Sequence, residues 1–316
     1  MLLSVFFVLS SLVLLYFGAS WLVKGSSSLA LKAGVSPLVA GLTVVAFGTS
    51  SPEMVVSVNA AISGHGNMAI GNVVGSNFFN ICIILGISAL VSPLKIKLQL
   101  LKIDIPILIV TTIGFMLLFA DRHISRLEGF ILFSGIILYT VISIILARRE
   151  KNTEVLDEFD KSITEHKKIK WYWSAGLIIL GLGVLIAGSE LLVKGAVVIA
   201  RSLGVGETII SLTIIAAGTS MPELASSIVA TIKKEYDIAI GNVIGSNIFN
   251  ILSIIGISSI IKPLSAMAIS NIDLYVMLGV TLLLLPFFRT SYTLKRDEGI
   301  FMIGIYLIYL YYLWPK

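Results

Sequence analysis

Three segments of this chain occur twice, each pair 170 residues apart. "GASWLVKG" at 18–25 returns as "GSELLVKG" at 188–195, "LTVVAFGTSSPEM" at 42–54 as "LTIIAAGTSMPEL" at 212–224, and "AIGNVVGSNFFNI" at 69–81 as "AIGNVIGSNIFNI" at 239–251. The constant offset means that no net gap falls between residues 18 and 81. Shared greasiness matches Leu to Ile; it does not align Gly, Asn, Pro, Glu and Ser. The chain is an internal duplication.

What is duplicated belongs in a bilayer. Hydrophobic residues make up 57% of the 316 and charged ones 13%, too much apolar side chain for a soluble protein to bury. Runs of about 20 apolar residues recur, the length of a membrane-spanning helix, and the alternating strands of a β-barrel are absent. The expected fold is an all-α polytopic membrane protein of ten transmembrane helices. They fall near 2–23, 36–62, 68–92, 101–119, 127–147, 173–193, 206–232, 236–262, 271–288 and 296–314. The N-terminal stretch lacks a basic n-region and a small-residue cleavage site, so it reads as a retained span rather than a removed leader.

Five spans per copy is an odd number, so the second copy must cross the membrane in the opposite sense. The expected organisation is a first five-helix repeat over 1–147, a linker over 148–172 and an inverted repeat over 173–316. Inverted repeats are a recurring plan of secondary transporters, with substrate sites near the bilayer midplane. With the N-terminus outside, 17 of the 23 Lys and Arg fall in inside loops, seven of them in 148–170. The positive-inside bias therefore expects a multi-pass protein of the cell membrane, with both termini outside and the linker in the cytoplasm.

The polar positions carry the chemistry. Ala46, Thr49, Ser50 and Glu53 are spaced to share one helical face. Pro52 lacks an N–H and loosens the carbonyl of Gly48, tolerable in lipid only where that oxygen is buried or serves a ligand. Asn72, Ser76 and Asn80 share a face on the next helix, and the second copy repeats the pattern with Ala216, Thr219, Ser220, Pro222 and Glu223, then Asn242, Ser246 and Asn250. Carboxylates, hydroxyls, amide oxygens and freed carbonyls form an all-oxygen set, the kind that hard cations such as Ca²⁺ take. Zinc or copper would call for His or Cys, whereas His65, His123 and His166 fall in loops and Cys82 reads as packing. Glu53 and Glu223 bring two negative charges, matching one divalent cation, and an ionisable residue within a span is a functional candidate by default.

Other polar residues have plainer readings. The glycines serve helix contact as readily as ions, and Asn72 and Asn242 serve equally as interhelical glue. Lys24 and Lys194 snorkel, Glu190 sits at an interface, and Tyr306, Tyr309, Tyr311, Tyr312 and Trp314 form an interfacial belt. Scattered cations without an aromatic-basic module argue against nucleic acid. No Ser/His/Asp set, His pair or phosphate loop marks an enzyme or a cofactor.

"GTSSPE" with "GNVVGSNFFN", and "GTSMPE" with "GNVIGSNIFN", resemble the two α-repeats of the sodium/calcium exchangers of the calcium/cation antiporter superfamily. The resemblance covers nearly the whole chain, and the short central loop is similar to that of prokaryotic members. It implies exchange of one Ca²⁺ for several Na⁺ by alternating access, with both ions as substrates and the lipid bilayer as surroundings. It implies Ca²⁺ at Glu53 and Glu223 and at the carbonyls of Thr49 and Thr219. Na⁺ positions would use Ala46, Ser50 and Ser76, and Ala216, Ser220 and Ser246, with Asn80 and Asn250 completing the centre. Many relatives carry Asp in place of Asn250, so potassium dependence is not expected. Proton/calcium exchangers usually carry Asn in place of Thr49 and Thr219. A proton-coupled divalent-cation antiporter is the nearest alternative and a cation channel a more distant one; the sequence leaves the oligomeric state open, a monomer included.

Overall fold

The computed structural model describes residues 2–150, 170–204 and 216–313. Most of the expected linker, the start of the seventh expected span, His166 and Trp314 lie outside them. The regular structure of the described residues is helical, apart from four two-residue strands. Seven helices are long and apolar enough to span a bilayer, or eight if the broken pair Pro37–Thr49 and Ser51–Ile62 is one span. Two further helices occupy expected spans: Met221–Ile232, which is shorter, and Arg296–Leu313, whose first turn is charged. Gly66–Val91 and Tyr236–Ile261, which carry the Asn-rich motifs, are 78% and 83% buried over their hydrophobic stretches, against at most 39% for the other spans. The helices that carry the Asn-rich motifs are therefore the most buried of the spans.

The chain forms two compact units, Met1–Thr49 with Thr140–Asn242 and Ser50–Tyr139 with Val243–Lys316. Neither unit is one copy of the duplication; each draws helices from both.

In the first unit, α1 (Leu2–Ala33) packs along α9 (Trp171–Ser202). The two are counterparts in the duplication, and they run antiparallel. Gly25 lies against Ser174, Gly18 against Gly181, Leu14 and Leu15 against Gly188, and Ser4 against Gly195. The glycines let the backbones touch: a Cβ on Gly18 would sit 2.9 Å from the Gly181 carbonyl oxygen, and one on Gly181 would sit 2.7 Å from the Leu22 nitrogen. In lipid, helices gain little by hiding apolar surface from a solvent that is equally apolar, so close van der Waals packing holds them. The Ser174 hydroxyl donates to Ser28 Oγ at 2.9 Å, fastening one end of the seam. Leu15, Leu22, Val23, Val45, Leu185 and Val229 fill the core beside it.

In the second unit, β1 (Leu94–Lys95) pairs antiparallel with β4 (Thr293–Leu294), and β2 (His123–Ile124) with β3 (Leu264–Ser265). The registers are Leu94 opposite Leu294 and Ile124 opposite Leu264. Moving each residue to its counterpart 170 positions away turns the first pair into the second. The same exchange links Gly86–Gly299 with Gly129–Gly256, each a close backbone approach. This reciprocity is what a two-fold relation between copies produces.

Tyr306 and Tyr309 depart from the expected belt. Both rings pack on Phe78, at 5.3 and 4.7 Å between centroids, and the Tyr309 hydroxyl donates to Asp273 at 2.7 Å. Tyr311 and Tyr312 are exposed, as a belt requires. Tyr306 and Tyr309, three residues apart, share a helical face. Glu190 and Lys194 are exposed and pair at 3.7 Å.

Gly18→Leu should drive α1 from α9 and cost about 1–3 kcal/mol, read as a lower Tm in detergent. Gly114→Leu, where a Cβ meets nothing within 4 Å, should change Tm little.

Candidate ion-binding site

The long helix expected over 36–62 is interrupted. It ends at Thr49, and α4 (Ser51–Ile62) starts afresh after Ser50, with Pro52 in its first turn and Glu53 close behind. The second copy does the same: a short helix ends at Thr219, and α11 (Met221–Ile232) restarts after Ser220 with Pro222 and Glu223. Proline in a first turn gives up an N–H that has no partner there anyway. The restart also places each glutamate at a helix N-terminus, where the unsatisfied N–H groups and the macrodipole favour an anion. Each carboxylate is 1% exposed, which such a terminus helps a membrane protein to tolerate.

An asparagine from the following helix anchors each restart. In the first unit, Asn242 Nδ2 donates to the Glu223 carbonyl at 3.3 Å and to Ser226 and Ser227 hydroxyls at 2.9 and 3.0 Å. Its Oδ1 accepts from the Thr49 hydroxyl at 3.0 Å. In the second unit, Asn72 Nδ2 donates to the Glu53 carbonyl at 3.2 Å and to Ser57 Oγ at 2.9 Å. Asn72 and Asn242 thus fix the backbone beneath the glutamates, which defines the glue that their spacing allowed.

The expected site residues divide evenly. Ala46, Thr49, Ala216, Thr219, Ser220 and Glu223 belong to the first unit, and Ser50, Glu53, Ser76, Asn80, Ser246 and Asn250 to the second. Ala46, Thr49, Ser50, Glu53, Asn80, Ser220, Glu223, Ser246 and Asn250 are at most 1% exposed, Ser76 is 5% exposed and Thr219 is half-buried.

Two features escaped the sequence reading. Asn80 and Asn250 each open a π-helical turn, Asn80–Ile84 and Asn250–Ile255. Such turns loosen the i to i−4 ladder and recur at functional sites. The oxygens of Asn80 Oδ1, Asn250 Oδ1 and Ser246 Oγ are buried with no hydrogen-bond partner. A buried polar oxygen without a donor costs about 1–3 kcal/mol, a cost that a cation ligand does not incur when its ion is bound. Asn77 and Asn247, which touch these amides, were also passed over, although "GSNFFN" and "GSNIFN" display them. Among the described residues no three His, Cys, Asp or Glu side chains cluster as a metal centre, so neutral oxygens would have to supplement the glutamates.

The family model of the sodium/calcium exchanger protein matches residues 3–145 and 173–314. The chain is 39% identical to a putative antiporter, CaxA, of Alkalimonas amylolytica, over 100% of both chains. It is 32% identical to the sodium/calcium exchanger MaX1 of Methanosarcina acetivorans, over 96% of each. Among solved structures it is similar to the sodium-calcium exchanger NCX_Mj soaked with Na⁺ and Ca²⁺, at a TM-score of 0.84, 31% identity and 99% coverage of each chain.

Thr49→Val leaves Asn242 Oδ1 without its donor and should cost about 1–3 kcal/mol, seen as a lower Tm in detergent. Thr49→Ser keeps the hydroxyl and should recover most of the loss.

Proposed function

The chain belongs to the sodium/calcium exchanger family, and on that premise we propose that it is a secondary active antiporter, exchanging Ca²⁺ for Na⁺ across the membrane by alternating access. One observation carries the reading. Buried glutamates at helix restarts are accompanied by buried amide and hydroxyl oxygens that lack protein donors, the donor set of a hard cation. The relatives' names and the ions soaked into NCX_Mj support Ca²⁺ and Na⁺ as the cargo.

Electrostatics then favours exchange over leakage. Glu53 and Glu223 together carry two negative charges. Left without a cation in a low-dielectric interior, they cost several kcal/mol, so an empty site resists crossing between its two accessible states. Ca²⁺ restores neutrality, and so do Na⁺ ions bound to the same oxygens. The loaded states can reorient, which couples the two fluxes. Thr49, Thr219, Ala46, Ala216, Ser50, Ser220, Ser76 and Ser246 fill out the shells with hydroxyl and carbonyl oxygens, and Asn80 and Asn250 add amide oxygens.

The same proposal takes the chain as ten spans in two inverted five-helix repeats, 1–147 and 173–316, joined by a cytoplasmic linker. The antiparallel run of α1 and α9, which are counterparts, supports the inversion, as do the reciprocal strand pairs. Both termini then lie outside.

Liposomes loaded with Na⁺ and diluted into Na⁺-free buffer should take up labelled Ca²⁺. Glu53→Gln and Glu223→Gln, folded but with half the neutralising charge, should lower that uptake by at least about a hundredfold, given Coulomb energies of several kcal/mol at low dielectric. Uptake driven by a pH gradient and indifferent to Na⁺ would favour proton coupling instead, and flux without a counter-ion a channel.

Cysteines placed within 150–165 of a Cys82→Ala background should react with an impermeant thiol reagent only from the cytoplasm, and one at residue 316 only from outside. The opposite pattern would invert the topology.

A further inference from the structure

An asparagine can present either of two opposite ends, an oxygen that suits a cation or an NH₂ that repels one. Asn80 and Asn250 sit at the starts of π-helical turns with buried Oδ1 atoms that accept no hydrogen bond. Something must hold the NH₂ ends away for those oxygens to serve ions. In the second unit that role falls to the other asparagine of each motif. Asn250 Nδ2 donates to Asn77 Oδ1 at 3.0 Å, and Asn80 Nδ2 donates to Asn247 Oδ1 at 3.5 Å. The two contacts are interchanged by moving each residue 170 positions, as the strand pairs are. Asn77 is itself fixed, its Nδ2 donating to the Asn247 carbonyl at 3.2 Å. All four residues are at most 2% exposed, so water does not compete for these groups.

We infer that Asn77 and Asn247 are positioning residues: each takes the NH₂ of an asparagine from the other copy and thereby aims its Oδ1 at the transported cation. The inference rests on the proposed roles of Asn80 and Asn250 as ion ligands. The geometry separates this role from packing. A side chain that only filled space would affect stability whether or not its neighbour kept an amide, whereas a residue acting through Asn250 has nothing to act on once that amide is gone.

The test is a pair of double-mutant cycles on the full chain in liposomes. Each variant is scored by its half-saturating Ca²⁺ and Na⁺ concentrations and its maximal rate, with equilibrium ⁴⁵Ca binding in detergent as a readout independent of turnover. Asn77→Ala should raise the half-saturating concentration of at least one ion about three- to tenfold, the worth of one hydrogen bond. Its maximal rate should stay within about twofold, the pattern of lost binding rather than lost turnover. Asn77→Ala combined with Asn250→Ala should be no worse than Asn250→Ala alone. The second cycle, Asn247→Ala with Asn80→Ala, should behave alike, and it decides the matter if Asn77→Ala does not give a monodisperse protein. Multiplying effects, or wild-type constants for both Asn77→Ala and Asn247→Ala, would overturn the inference. Wild-type constants for Asn80→Ala and Asn250→Ala would instead remove these two from the ion site, and the positioning role with them.

Discussion

A carboxylate in a membrane helix has to be compensated from within the protein or by what the protein carries, because lipid offers nothing. Most features of this structure follow from that demand at Glu53 and Glu223. Burial forces the helices that bear and flank them into the interior. The interruptions after Thr49 and Thr219 turn each glutamate's backbone into a helix N-terminus, a source of partial positive charge. On the proposed function, a transported cation adds to that compensation, and a residue whose charge is balanced in part by a passing ion is the elementary part of a coupled transporter.

The demand extends to the neutral groups. Asn72 and Asn242 spend their NH₂ groups on backbone carbonyls and serines beneath the glutamates, while Asn80 and Asn250 spend theirs on Asn247 and Asn77. The amide nitrogens of these four asparagines are thus tied to protein acceptors, whereas that of Asn247 is buried with no hydrogen-bond partner. Oxygens differ: that of Asn242 is tied to Thr49, whereas those of Asn80 and Asn250 have no protein donor. Motifs that look alike in the sequence therefore divide into a clamping asparagine and a presenting one.

Much of this was legible in the residues. The 170-residue offset revealed the duplication, and hydropathy located most helices to within a few residues, since period and length are written in the chain; α1 and α9 run nine or ten residues past their expected ends, to Ala33 and Ser202. The twelve expected site residues are nearly all buried where their neighbours are apolar. What the chain hid is geometry that no single residue specifies. A proline was read as a defect within a helix, yet the helix stops before it, because Ser50 and Ser220 leave the helical conformation. The π-helical turns have no sequence signature; they are set by how neighbouring helices pack. Tyr306 and Tyr309 are amphipathic rings near a chain end, which suits a membrane interface equally well until Phe78 and Asp273 claim them.

The exchange of contacts between counterparts has a consequence for how such a chain can change over generations. While the two halves were still one sequence used twice, every reciprocal contact was made by the same residues in two places, so a single altered codon would have struck both at once. Several positions in those contacts still match, among them Leu94 and Leu264, Asn77 and Asn247, and Gly86 and Gly256, although Lys95 and Ser265, and His123 and Thr293, do not. Where a residue answers only to its own turn, the halves have drifted. Gly64 and Lys234 close the same helix end with the same left-handed backbone, at φ of 79° and 62°, and lysine accepts there a conformation that glycine adopts without strain. Inherited symmetry thus acts as a brake on some positions and leaves its neighbours free to specialise.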